Sequence, residues 1–226
     1  MHTIKIPDHI LKIINSRRGG VSLFDRLSGP STALVVIDLQ NAFMLAGSPM
    51  EVPIAREIVP NVNRLAQAVR SAGGKVVWIK MTVQDELKRW NVFFDNFYAV
   101  PERRAGMLKV LSRGDPGHEI HTDMDVQPSD LIVEKTRYSA FIQGSSELDR
   151  ILKELGIDTV IITGTATNVC CESSARDAMM LNYKMVCVSD GTACRTDEEQ
   201  NAALAILLRS FGDVLTTDEV ISRLSK

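Results

Sequence analysis

Six short apolar runs, separated by stretches of helical spacing, set the pattern of this chain. They are ALVVID (33–38), KVVWIKM (75–81), LIVEK (131–135), TVIITG (159–164), KMVCVSD (184–190) and DVLTT (213–217). Each is short and bounded by turn residues, which predicts a strand, and ALVVID is apolar throughout, which predicts burial on both faces. Between them, Ile58, Val62, Leu65, Ala66 and Val69 recur at helical spacing within 54–72 and stop at Gly73-Gly74. Pro60 inside that pattern either opens the helix at its first turn or kinks it. LDRILKELG, NVCCESSARDAMMLN and DEEQNAALAILLRSFG read as further helices, the last opened by Thr196-Asp197 and stopped by Gly212. Strands alternating with helices across short connections predict an α/β fold: a three-layer α-β-α arrangement around a six-stranded, mainly parallel sheet.

Two stretches fall outside this rhythm. Residues 1–30 read as a polar N-terminal extension. Residues 83–127 form an insertion rich in aromatics and charge (Trp90, Phe93, Phe94, Phe97, Tyr98, Arg103, Arg104). It is long for a plain connection, so it either covers a site or meets a neighbouring subunit. No internal repeat breaks the chain, so 1–226 is expected to form a single domain.

Composition narrows the function. Lys plus Arg (26) nearly balance Asp plus Glu (28), for a net charge of −2, so the clustered cations that nucleic-acid binding draws on are missing. No apolar run approaches the roughly 18 residues needed to cross a bilayer, and His2, Lys5, Asp8 and Lys12 interrupt the N-terminal stretch. No membrane association and no secretory signal are expected. Cys170, Cys171, Cys187 and Cys194 lie close together without a CxxC pair, which fits neither a disulfide framework nor a zinc site and suits a reducing cytoplasm.

Ligands of open parallel sheets bind beyond the carboxyl ends of the strands. Asp38 follows ALVVI, Lys135 ends LIVEK, and Cys170 lies in the first turn of the helix after TVIITG. A helix N-terminus and a nearby ammonium favour thiolate over thiol, and a carboxylate can take and return a proton. The three types together suit acyl transfer, with backbone N–H groups of the 164–170 turn as an oxyanion hole.

These residues stand in VVIDLQNAF, EKTRYSAF and TGTATNVCCESSARDA, and in those motifs the chain resembles the isochorismatase-like cysteine hydrolases from about Ala33 onward. The resemblance implies an Asp38–Lys135–Cys170 triad in which Cys170 attacks a carbonyl, Asp38 handles the proton, and Lys135 balances charge and lowers the thiol pKa. It further implies a cis peptide between Thr165 and Ala166 that aims the N–H groups of Ala166 and Cys170 at the oxyanion. Neighbouring helical residues point about 100° apart, so Cys171 is expected to pack against the sheet. Arg176 and Asp177 are expected to make a structural ion pair or helix-to-loop tie, and Thr167 and Asn168 to cap the helix or fix the turn, capping being the favoured reading.

KMTVQDELKRW lacks the histidines of the nicotinamidase branch, and His118 and His121 are expected to be solvated rather than metal ligands. No metal and no cofactor enter the scheme. The segments look most like the ureidoacrylate and ureide branch, implying a cysteine-dependent amidohydrolase that cuts a small linear amide, carbamoyl or ureido substrate through a thioester, releasing ammonia or an amine. An isochorismatase- or nicotinamidase-type hydrolase, or a catalytically silent oligomeric scaffold, is the alternative. Arg137 and Tyr138, with Gln40, Asn41 and Phe43, are the candidate substrate contacts. A carboxylate would be clamped by Arg137, Arg103, Arg104 or Lys80, whereas an uncharged ureide such as biuret would be read by Gln40, Asn41 and Gln84. The family implies a homo-oligomer, dimer or tetramer.

Overall fold

The computed structural model describes residues 1–83 and 89–225. Along the chain, α1 (Asp8–Arg18) leads to the two-residue strand β1 (Leu27–Ser28) and to β2 (Thr32–Ile37). A short α2 (Asn41–Met44) and α3 (Val59–Ser71) precede β3 (Lys75–Met81), and α4 (Asn91–Asn96) and α5 (Pro101–Val110) precede β4 (Leu131–Lys135). Then α6 (Leu148–Glu154), β5 (Thr159–Thr165), α7 (Glu172–Met180), β6 (Lys184–Ala193), α8 (Asp197–Ser210), β7 (Asp213–Leu215), α9 (Thr217–Arg223) and β8 (Leu224–Ser225) follow.

The main sheet has six strands in the order β4-β3-β2-β5-β6-β7, and every pairing is parallel. β2 lies between β3 and β5, and its six residues are all buried. Side chains alternate across a strand, so Ala33, Val35 and Ile37 join one core while Leu34 and Val36 join the other. The first core is closed by Leu148 and Leu152 of α6, Ala175 and Ala178 of α7, and Leu204 and Leu207 of α8. The second is closed by Val62, Leu65, Ala66 and Val69 of α3 and by Val220 of α9. Each large aliphatic side chain so buried contributes about 1.5–3 kcal/mol. The three layers expected from the alternation are therefore present.

Pro60 sits in the first turn of α3, so it opens the helix; residues 53–56 form a separate 3₁₀ turn. β6 extends past Asp190 to Ala193, where its pairing with β5 shifts register between Ile162 and Gly164.

The extension is more ordered than a polar tail. Ile10 and Ile14 of α1 pack on Leu208 of α8, and β1 pairs with β8. Buried Asp213 accepts hydrogen bonds from the backbone N–H groups of Leu23 (2.9 Å) and Phe24 (3.0 Å). The insertion folds too: Phe93, Phe94, Met107 and Leu111 bury themselves against Phe43 and Met81, over the carboxyl end of β3.

Candidate active site

The chain passes from β2 to β3 on one side and reaches β5 on the other, so the crevice at the carboxyl end of β2 is a topological switch point. Asp38 leaves β2 there with φ +55°, in the left-handed region uncommon for a residue with a side chain, and its N–H donates to the Ile79 carbonyl (3.1 Å). Gly164 opposite has φ +112°, and a Cβ on it would run into the Ile37 backbone. Only glycine lets the end of β5 close on the end of β2.

Lys135 ends β4, and the Thr82 N–H donates to its carbonyl (2.9 Å). After β5 the Thr165–Ala166 peptide is cis, as the resemblance implies. The chain then makes a wide π-helical turn over Thr167–Cys171, in which the Cys171 N–H reaches the Ala166 carbonyl (3.2 Å) before α7 begins. Such turns recur at functional sites. No side chain caps this turn: Asn168 lines the cavity described below, and Thr167 Oγ1 is buried without a hydrogen bond. The expected capping is corrected accordingly.

These elements bring Asp38, Lys135 and Cys170 together. Lys135 Nζ lies 2.8 Å from Asp38 Oδ2, donates to Cys170 Sγ (3.5 Å) and the Arg137 carbonyl (3.1 Å), and reaches Met81 Sδ (3.4 Å). Asp38 and Lys135 are fully buried, and Cys170 is 7% exposed. The Asp38 oxygens make no aligned hydrogen bond although the Lys135 ammonium, the Cys170 thiol and the Met81 N–H adjoin them, so lone pairs remain for a transferred proton.

Burial governs the charges. It raises Asp38 above the ordinary carboxylate value, with Lys135 pulling the other way. Burial also opposes the Lys135 ammonium, but Asp38 and Cys170 outweigh it and hold the lysine protonated. For Cys170, burial drives the thiol well up, Lys135 lowers it, and Asp38 raises it again. Lys135 thus pulls the thiol down, as the resemblance implies, but burial is the larger cause and sets the net direction upward.

Cys170 and Ala166 border a cavity of about 260 Å³, also walled by Phe43, Tyr98, Met107 and Tyr138, with Asn168, Arg195 and Glu199 as its polar groups. The insertion therefore covers the site. Burial pushes the Tyr138 phenol up to about 12. A serine network sets the loop after Lys135: the Thr136 N–H donates to the Ser145 carbonyl (3.0 Å), and Ser145 Oγ donates to the Ser139 carbonyl (2.6 Å).

Of the five candidate substrate contacts, Phe43 and Tyr138 line this cavity. Gln40 does not: it is fully buried, with Nε2 donating to the Met81 and His118 carbonyls and Oε1 accepting from the Met81 N–H. Asn41 donates to the Pro116 carbonyl instead (2.9 Å). Arg137 turns to a neighbouring cavity, where its guanidinium lies over Trp90 and donates to the Thr136 and Arg89 carbonyls. Among the other cations considered, Lys80 pairs with Glu119, Arg104 holds the Phe94 and Tyr98 carbonyls, and Arg103 is exposed on α5. Gln84 lies outside the described residues.

His118 is buried and hydrogen-bonded to Thr82 Oγ1 (2.7 Å) rather than solvated. Among the described residues, no group of three or more His, Cys, Asp or Glu is placed to hold a metal ion. Cys171 is buried in the core, and Arg176 pairs with Glu172 and stacks on Phe211. Sequence reasoning missed Arg195, whose guanidinium donates to the Glu51 carbonyl (3.3 Å) and has no ion pair among the described residues.

A family model described as the isochorismatase domain matches residues 32–219. The chain belongs to the isochorismatase family. The match takes in Asp38, Lys135 and Cys170 and leaves out the whole N-terminal extension, 1–30. Within the isochorismatase family, a curated relative from Caulobacter vibrioides named ureidoacrylate amidohydrolase RutB is 33% identical over 203 residues, covering 83% of this chain and 88% of the relative. A cysteine hydrolase from Pseudomonas syringae pv. phaseolicola superposes with a TM-score of 0.78 at 30% identity, covering 88% of this chain and 94% of that one. N-carbamoylsarcosine amidase from Thermoplasma acidophilum gives 0.65 at 26% identity, covering 83% and 97%. No helix among the described residues is long and apolar enough to cross a membrane.

Proposed function

We propose that this isochorismatase-family chain is a cysteine-dependent amidohydrolase that cleaves the C–N bond of a small linear amide, carbamoyl or ureido compound through a thioester on Cys170. One observation carries the reading: a buried lysine ammonium within 2.8 Å of a carboxylate and 3.5 Å of the Cys170 thiol, which itself lines a cavity of about 260 Å³. The names of the relatives, an amidohydrolase and an amidase, point the same way.

In this scheme Asp38, made more basic by burial, takes the thiol proton as Cys170 Sγ attacks the carbonyl carbon. The oxyanion is received by the N–H groups of Ala166 and Cys170. The C–N bond then breaks, the nitrogen takes the proton from Asp38, and ammonia or an amine leaves. Water attacks the thioester, yields its proton to Asp38, and the C–S bond breaks as the sulfur recovers a proton. Lys135 stays charged throughout and balances whichever of its two neighbours is anionic.

Arg195 is the one cation lining the cavity among the described residues, which favours a substrate that carries a carboxylate over an uncharged ureide. The proposal takes 1–226 as one catalytic domain, since β1 and β8 tie its two ends together. A cytoplasmic setting fits the four unpaired cysteines, and exposed Val92, Phe97 and Val100 on the insertion favour a homo-oligomer. The test is ammonia release over ureidoacrylate, N-carbamoyl amino acids, maleamate, biuret, triuret and nicotinamide, with Cys170→Ala as the blank. Turnover of at least one linear amide or ureide that the blank lacks is expected; a blank as active as the parent would overturn the reading.

A further inference from the structure

Most of the cavity lining beside Cys170 is hydrocarbon and thioether, with Asn168, Arg195 and Glu199 as its polar side chains. Phe43 comes from α2, Met81 from the end of β3, Phe93 from α4 and Met107 from α5, with Val52 and Leu111 from the adjoining loops. All six are at most 7% exposed, so these side chains are fixed by the core and are not a chance surface patch. Two of the amides expected to read a polar substrate, Gln40 and Asn41, are tied to backbone carbonyls instead. Even the Tyr98 hydroxyl is directed to Met50 Sδ (3.4 Å).

A second amide or ureido group lying against these six side chains would lose its water and find no partner among them, whereas a methylene would lose nothing. Three methionines, Met50, Met81 and Met107, line the same space, and their flexible thioethers adapt to branched or ring-shaped bodies. At about 260 Å³ the cavity sits just below the usual range for ligand pockets, roughly 300–1,000 Å³, which limits the occupant to a small molecule.

We propose that the preferred substrate is a carbamoyl or amide compound with an apolar body, a branched aliphatic or single aromatic group, rather than a compact polar ureide. This rests on the amidohydrolase reading above and names its substrate class. Each methylene buried against the wall is worth about 0.8 kcal/mol, so it should raise kcat/KM about fourfold.

The experiment compares N-carbamoyl derivatives of glycine, alanine, valine, leucine and phenylalanine, which share one carboxylate and one scissile bond, with biuret beside them. Ammonia release is read as kcat/KM for the parent enzyme, for Met107→Gln and for Cys170→Ala. The expected result is a rise of several-fold or more from glycine to leucine or phenylalanine, absent in Cys170→Ala and flattened in Met107→Gln. A flat or falling series, or biuret as the best substrate, with turnover still dependent on Cys170, overturns the apolar-body proposal and leaves the thiol chemistry standing. No Cys170-dependent turnover on any of them, coupled with Cys170-dependent hydrolysis of another compact polar amide, overturns it equally. Turnover that survives in Cys170→Ala overturns the underlying reading and this proposal with it.

Discussion

Lys135 Nζ and Asp38 Oδ2 lie 2.8 Å apart with neither side chain open to solvent. Removing one member of such a pair leaves an uncompensated charge in the interior, at a cost of about 3–5 kcal/mol. Lys135→Met should therefore destabilise strongly in denaturant unfolding. Adding Asp38→Asn to it should recover part of the loss, since the double variant holds no lone charge. Additive losses would mean that the two groups do not interact.

Activity should fall on the acid side with a midpoint above the usual 3.8 of an aspartate, because burial raises Asp38. Below that midpoint Asp38 keeps its own proton and cannot accept one from the thiol. Asp38→Asn should lower kcat by about 10²–10⁴-fold and remove this limb from the pH profile. The raised thiol has a parallel effect on labelling: alkylation of Cys170 should be slow at neutral pH and accelerate above pH 9, so slow labelling is no mark of a silent site. A plateau of fast labelling near pH 6 would contradict the buried-thiol state.

Arg195→Leu should raise KM for carboxylate-bearing substrates about 10–100-fold, the equivalent of one charge-assisted contact, and leave KM for neutral amides nearly unchanged. Steady-state kinetics on N-carbamoyl-leucine and on its amide separate the two cases. Equal effects on both would remove Arg195 from substrate recognition.

Asp213 fastens the N-terminal extension through the Leu23 and Phe24 N–H groups and lies 3.6 Å from Arg223. Asp213→Ala should cost about 2–4 kcal/mol, since it orphans two backbone donors. Limited proteolysis should then cut within residues 1–26 faster than in the parent.

Strand runs such as ALVVID were legible because burial on both faces demands unbroken apolar sequence, and the meeting of Asp38, Lys135 and Cys170 because these chemically distinct residues fell at or just beyond strand ends. α4 and α5 were not legible: their apolar residues serve a local cluster around Phe43 and Met81 and follow no clear helical stripe. Gln40 and His118 misled for another reason. A polar side chain looks the same in sequence whether it faces a ligand or caps a buried carbonyl, and only tertiary contacts turned these two inward. Arg195 was missed because it sits in the loop between β6 and α8, where a lone cation reads as solvated. The net upward direction at Cys170 was not legible because sequence places Lys135 near Cys170 without telling how thoroughly both are desolvated.

The most direct measurement is mass spectrometry of enzyme quenched in acid during turnover of its best substrate. A mass increase equal to the acyl or carbamoyl group on the Cys170 peptide, absent in Cys170→Ala, is predicted. Steady turnover with no adduct on Cys170, and undiminished in Cys170→Ala, would contradict the account.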